Sequence, residues 1–379
     1  MTLERQRLLA LQIVFALNGL GLALWFPRIP DVKAALDLDV LTLAFCLFGL
    51  PAGTMMGFLS VGRITRAIGV RAACVWGGAV FLLSFILPAL AWNAVTLGLA
   101  LFVCGLTIAT IEVAMNAKAS QVERDSGRRV MTRCHAFWSF GTVAGALTGG
   151  AAAQAGIGFL AQQAMLQPLL AAATIYFGRR LLPDDPRETG AEPGFALPDR
   201  ALLLLCLIPI GALLIEGAMM EWSALLLREH VAANPFQTAL VFALFALSMA
   251  FMRLAGDRLA EMFGPVPIIL VSGLLMGVGI LGFGLSTSVW FSAALAIMVG
   301  VGCANIYPLT MSMVAAVPGQ RTERNVAALA LIAFTAFLIG PPAIGIMASA
   351  FGLPVALAFL APLGLVPGFI AVRTRPRPA

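Results

Sequence analysis

Charge is scarce in this chain: Asp, Glu, Lys and Arg make up 11% of its 379 residues, against roughly a quarter in an ordinary soluble domain. Histidine occurs only as His135 and His230, and no HExxH, GKS/T or GxSxG pattern is present. Metal, ATP and serine-hydrolase chemistry therefore have no visible support, and neither a metal nor a cofactor is expected. The six cysteines show no CxxC spacing and fall in or at the ends of apolar runs, so they read as small core residues. Lys and Arg outnumber Asp and Glu by 24 to 18, but the basic residues are scattered over short loops. A nucleic-acid surface needs them gathered in one patch.

What the chain has is apolar sequence, at 60% of residues. The apolar stretches are about 20 residues long, enough to cross a hydrocarbon core as helix, which excludes a β-barrel. They predict an all-α integral membrane protein with twelve transmembrane helices near residues 7–27, 40–61, 72–92, 94–117, 134–157, 160–181, 201–226, 234–255, 265–286, 288–314, 326–350 and 352–372. The N-terminal run has the basic start of a signal peptide but no convincing small-residue cleavage site, and reads as a retained first span. Arg28, Lys33 and Arg228 fall on one side and the other 21 of the 24 basic residues on the opposite side. The positive-inside rule then makes both termini cytoplasmic, in a bacterial inner membrane. The polar, Pro-rich stretch from Arg179 to Arg200 divides six spans from six, giving an N-terminal bundle over 1–182, a cytoplasmic linker over 183–200 and a C-terminal bundle over 201–379. A monomer in the lipid bilayer is expected.

The halves echo one another at an offset of 195: "GRITRAIG" from Gly62 aligns with "DRLAEMFG" from Asp257, and "GLTIATIEVAMN" from Gly105 with "GVGCANIYPLTM" from Gly300. Repeated six-span halves around a midplane cavity are a transporter architecture. Gly62, Ile64, Gly69 and Arg71 resemble the loop signature GxLaDRxGRR of the major facilitator superfamily, with Arg66 where the acid should be, and the second copy keeps Ala260, Glu261 and Gly264. "IEVAMN" and "CHAFWSFG" are similar to fourth- and fifth-span segments of fucose-permease-like proton symporters. That resemblance implies a substrate or proton role for Glu112, Asn116, His135 and Trp138. The first-span acid of those symporters is missing; Asn18 and Trp25 stand in that span. "EGAMMEWSALLLRE", from Glu216, is similar to a seventh-span segment of a bacterial subgroup of the same class.

Each candidate has a plainer alternative. Glu112 lies in the cytoplasmic half of its span, where a charge costs up to about 2.5–3.5 kcal/mol at the helix centre, so it is either a proton carrier or the acceptor of a structural bond, for instance from Arg133. Asn116 shares its face one turn on. Glu216 reads as a substrate ligand or an interhelical bond. Glu221 and Trp222 read as a gate or an interfacial anchor near the outer surface, with substrate contact the alternative for Glu221. Asn305 can hydrogen-bond a polar substrate or pack around Pro308. Trp25 and Trp138 offer flat faces for a sugar ring or simply pack. His135 is a proton relay or a cytoplasmic rim residue. Gly141, Gly145, Gly149 and Gly150 nearly copy the antiporter signature GxxxGPxxGG of the superfamily, with Ala146 in the proline position, and close helix packing explains them equally well.

The sequence thus predicts a secondary active transporter of a small polar, sugar-like solute, coupled to protons by alternating access. A proton-driven exporter of drugs or metabolites is the alternative. A membrane-bound transferase would need convergent acids, bases or nucleophiles at one membrane face, and the longest loop has no histidine or cysteine. A non-transporting sensor on the same scaffold is not separable by letters.

Overall fold

The computed structural model describes residues 3–127, 130–184, 200–315, 317 and 322–373. Most of the expected linker, residues 185–199, lies outside the described residues. Contacts divide the chain into two compact units, Met1–Glu192 with Asn234–Ala243, and Pro193–Ala233 with Leu244–Ala379. The stretch 234–243, which the sequence places with the second half, is thus grouped with the first.

The first unit holds α1 (Leu3–Ala23), α2 (Ile29–Ala35), α3 (Val40–Leu47), α4 (Gly49–Ile68), α5 (Val70–Ala72), α6 (Gly78–Ser84), α7 (Ala94–Ser126), α8 (Met131–Gln154) and α9 (Phe159–Gly178). A 3-10 turn at Phe26–Arg28 leads into α2, and a π turn at Ala73–Gly77 joins α5 to α6. The second unit holds α10 (Arg200–Leu207), α11 (Ile210–Glu229), α13 (Pro265–Leu285), α14 (Val289–Cys303), α15 (Ile306–Ala315), α16 (Thr322–Phe351), α17 (Leu353–Ala358) and α18 (Ala361–Arg373), while α12 (Pro235–Phe263) begins in the first unit and ends in the second.

Ten stretches of the described residues are helical, long and apolar enough to cross a membrane. Two further helices, α8 and α9, have 24 and 20 residues but less apolar sequence: α8 is rich in Gly, Ala and Thr, and α9 carries Gln162, Gln163 and Gln167. Together they make the twelve passes that the apolar runs predict. Large apolar side chains point outward, Leu59 at 73% exposure and Trp92 and Trp290 at 76% and 66%, as lipid-facing surface does. The two tryptophans sit just before α7 and at the start of α14, where amphipathic rings suit a membrane interface.

Local chemistry sets several helix starts. Asn93 opens α7 with a capping box, accepting from the Thr96 N–H at 2.9 Å while its own N–H donates to Thr96 Oγ1 at 3.1 Å. Asp39 caps α3, accepting from the Thr42 N–H at 2.8 Å and the Thr42 hydroxyl at 2.7 Å.

The 195-residue repeat is visible in the backbone. Gly69 and Gly264 hold the same place in the two loop copies and both have positive φ, +85° and +76°, a conformation that side chains resist. Gly105 packs on the carbonyl of Leu50 and on Gly53, and Gly300 packs on the carbonyl of Phe245 and on Ser248. Each partner is 195 residues from its counterpart. Both helix pairs approach closely for one reason: no Cβ fits at the crossing.

Candidate functional site

In the first unit, α1 and α8 share a seam of small residues. A Cβ at Gly19 would meet the Trp138 carbonyl, and one at Gly141 or Gly145 would meet the carbonyls of Ala16 and Leu20. Gly149 faces Leu24 and Pro27, and Gly150 faces Ala239 and the Pro235 carbonyl. The antiporter-like glycine spacing on α8 is therefore occupied in backbone packing. Because the helices are this close, their polar side chains meet. Trp138 Nε1 donates to Asn18 Oδ1 at 2.9 Å, and the Phe15 ring stands edge-on to His135 with centroids 5.4 Å apart.

One turn toward the N-terminus of α8, His135 Nε2 lies 3.1 Å from Asn116 Oδ1 on α7. The Asn116 amide donates back to the Glu112 backbone carbonyl at 2.9 Å. The Glu112 carboxyl itself is half-buried and has no hydrogen bond or ion pair among the described residues. The expected structural alternative, a bond to Arg133, is not formed. The structure thus gathers Glu112, Asn116 and His135 in one group and Asn18 with Trp138 in a second along the same seam. It separates Trp25 from both. That ring is 1% exposed and packs on Phe159 at 5.7 Å, so neither face is open here.

Beside Trp25 lies a polar layer that the sequence reading missed. Arg28 is buried, donating to Gln162 Oε1 at 2.6 Å and the Ile157 carbonyl at 2.9 Å and pairing with Asp31 at 2.6 Å. Gln167 Nε2 donates to the Gly21 carbonyl at 3.0 Å and to Gln163 Oε1 at 2.9 Å. Lys118 was missed too. Its side chain is fully buried, with the ammonium 2.8 Å from Asp184 Oδ1 and 2.7 Å from Gln121 Oε1. Asp184 also accepts from the Arg71 N–H at 2.7 Å, so an acid from beyond α9 stands against the loop in which Arg66 replaces the expected one.

In the second unit, Glu216 on α11 pairs with Arg253 on α12 at 3.4 Å, and Arg253 Nε donates to the Ala304 carbonyl at 3.3 Å. That carbonyl lies at the break between α14 and α15, where orphan backbone acceptors collect. Asn305, at the same break, is buried; its amide donates to the Met252 carbonyl at 3.2 Å and its oxygen crowds Gly256. Glu216, Arg253 and Asn305 are therefore one cluster. Arg253, counted from sequence among the loop cations, sits inside an apolar helical stretch spanning Pro235–Gly256. The signal was in the letters: an arginine within "FALFALSMAFMRLAG" is as informative as an acid would be.

Trp222 is 0% exposed, and its Nε1 has no hydrogen-bond partner. An interfacial anchor needs a ring at the water boundary, so that reading is corrected: Trp222 is a core residue. Glu221 lines a crevice within the unit.

A sequence profile of the major facilitator superfamily matches residues 205–379. The chain is 30% identical over 352 residues to an uncharacterized MFS-type transporter of Yersinia pestis, covering 92% of this chain and 91% of that one. It is 32% identical over 343 residues to an uncharacterized transporter of Sinorhizobium fredii, covering 89% of each. The chain belongs to the major facilitator superfamily. It is a multi-pass membrane transporter of a small solute, not an enzyme. The crystal structure of a D-xylose–proton symporter superposes with a TM-score of 0.81 at 12% identity, covering 99% of this transporter and 98% of that chain, which shows a shared fold. The clusters at Glu112 and Glu216 are not duplicated by the repeat: the positions 195 residues away from them are Tyr307 and Gly21.

Proposed function

We propose that the chain is a proton-coupled secondary active transporter of a small polar, sugar-like solute, working by alternating access with Glu112 as the coupling carboxyl. The observation that carries this reading is a half-buried acid in the middle of α7 with no hydrogen bond or ion pair among the described residues, beside the Asn116–His135 pair. An unpaired charge is costly away from water, and taking up a proton removes that cost. Solvent access that changes through a transport cycle then changes proton occupancy, which links the two. Asn18, Trp138 and Asn116 supply hydrogen-bonding groups and an aromatic face for a polar solute. Glu216 and Asn305 supply them from the second half, with Arg253 added as their partner. Two six-helix bundles joined by the 183–200 linker, with both termini cytoplasmic in a bacterial inner membrane, complete the reading. A proton-driven exporter could use the same acid, but its sequence argument, the α8 glycines, is accounted for by packing.

The test has two steps. A thermal-shift screen of sugars and related polar metabolites on the purified protein identifies a ligand, because one that binds the folded state raises its stability by mass action. Counterflow and pH-gradient-driven uptake of that ligand are then compared in the same proteoliposomes. Glu112→Gln should retain counterflow and lose uphill uptake. Accumulation against the gradient by that variant would remove Glu112 from the coupling role, and absence of counterflow in the parent protein would show that the ligand found is not its transported solute.

A further inference from the structure

Between α11 and α16 lies a narrow crevice lined by Leu213, Gly217, Ala218, Phe337, Gly340 and Pro341 among others, with room for little more than a water molecule. Among the described residues its single ionisable side chain is Glu221. The carboxyl has no hydrogen bond or ion pair among the described residues. Of the elements packed on α11, α13 and α17 carry no ionisable group, and α14, α15 and α18 carry Cys303, Tyr307 and Arg373. On α16 the charged residues, Glu323 and Arg324, fall in the first turn, while Arg253 of α12 reaches α11 at Glu216. Along α11 itself the other charges are Glu216, Arg228 and Glu229. Among the described side chains, none of these lines the crevice.

The opposite wall supplies an acceptor. α16 runs through Pro341 and Pro342, neither of which has a backbone N–H. The helical ladder therefore leaves the carbonyls of Phe337 and Leu338 without their usual partners, and such freed groups inside a membrane need another donor. Phe337 and Pro341 both line the crevice that Glu221 enters. A helical side chain leans toward its own N-terminus, which brings the Glu221 carboxyl back toward Gly217 and Ala218, and Gly217 faces the Phe337 ring. In its protonated form a carboxyl has an O–H to donate; as a carboxylate it has none.

We propose that Glu221 is a second proton-binding site of this transporter, its proton held between the carboxyl and the Phe337 carbonyl that Pro341 leaves free. This deepens the proton-coupled reading but does not pass through Glu112. A proton bound here satisfies the α16 backbone, and its release leaves a charge facing an unpaired carbonyl. Proton binding thereby stiffens α16 at its interruption, and release loosens it.

Infrared titration of the protein in lipid vesicles tests the site without a transport substrate. Acidification should raise a protonated-carboxyl band that is missing in Glu221→Gln and still present in Glu112→Gln. Pro341→Ala restores the N–H to Phe337 and should weaken proton binding about tenfold, moving the midpoint about one unit lower in pH. Should Glu221→Gln not fold, Glu221→Asp shortens the acid by one methylene and must shift the band or its midpoint. An unchanged spectrum in the Glu221 variant overturns the site. An unchanged midpoint in Pro341→Ala overturns its link to α16. Failure of Glu112→Gln to uncouple transport leaves both readouts intact, so the two readings fall separately.

Discussion

Arg253 is held from two sides, by the Glu216 carboxylate and by the Ala304 carbonyl at the end of α14. Removing either partner has unequal consequences. Glu216→Gln leaves Arg253 the helix-end carbonyl, whereas Arg253→Met leaves a half-buried carboxylate with nothing opposite. Arg253→Met should therefore cost more, about 1–3 kcal/mol against less than about 1 kcal/mol, and the double variant should recover part of the loss. Melting temperatures of the four proteins in one detergent give the cycle, and equal losses would contradict the argument. Lys118 sets up a second asymmetry. Asp184→Asn leaves a buried ammonium without its countercharge, while Lys118→Met frees Asp184, whose side chain is 40% exposed, to water. The lysine substitution should be the milder one, by about 1–2 kcal/mol. At the protein surface, the hydrogen bonds from Thr42 hold the Asp39 carboxyl below the usual carboxylate range. Its folded value is depressed, so its contribution to stability is present above the unfolded carboxylate range and fades as pH falls through the folded value. The difference in melting temperature between the parent and Asp39→Asn should accordingly shrink on acidification and vanish at strongly acid pH.

At the scale of elements, glycine position decides what can be replaced. Gly145→Leu on α8 drives a side chain into the Leu20 carbonyl of α1 and should abolish folded yield, with Gly145→Ala costing about 1–3 kcal/mol through overpacking. Gly156, with φ +74° and open space around it, should accept asparagine with little loss. Size-exclusion recovery from membranes compares them. These elements also show what could be read beforehand. Twelve runs and the 195-residue echo were legible because lipid imposes length and apolarity on every pass and a duplicated fold keeps its tight crossings. Glu112, Asn116, Glu216 and Asn305 stood out as polar letters in apolar surroundings. Arg28, Lys118 and Arg253 did not, since a cation near a span end is easily assigned to a loop, and the partners that hold it belong to other helices. Trp222 shows the converse error: tryptophan near a span end suggests a boundary, but its helix carries it into the core.

For the whole molecule, orientation is the open quantity with the most direct check. Cysteines placed at Asp31 and Asn234 should react with an impermeant thiol reagent applied outside intact cells, and one at Asp185 should not. Labelling at Asp185 would invert the arrangement. The six native cysteines are all buried, so their background should be low. The α1–α8 seam bears on movement. Carbonyl oxygens of α1 rest directly on glycines of α8, with no side chain between them to roll or to change rotamer. Sliding such a joint would break both the backbone contacts and the Asn18–Trp138 hydrogen bond across it. α1 and α8 must travel as one strut, and whatever flexes during the cycle has to be sought at places such as the gap between Cys303 and Ile306, where the helix is already interrupted.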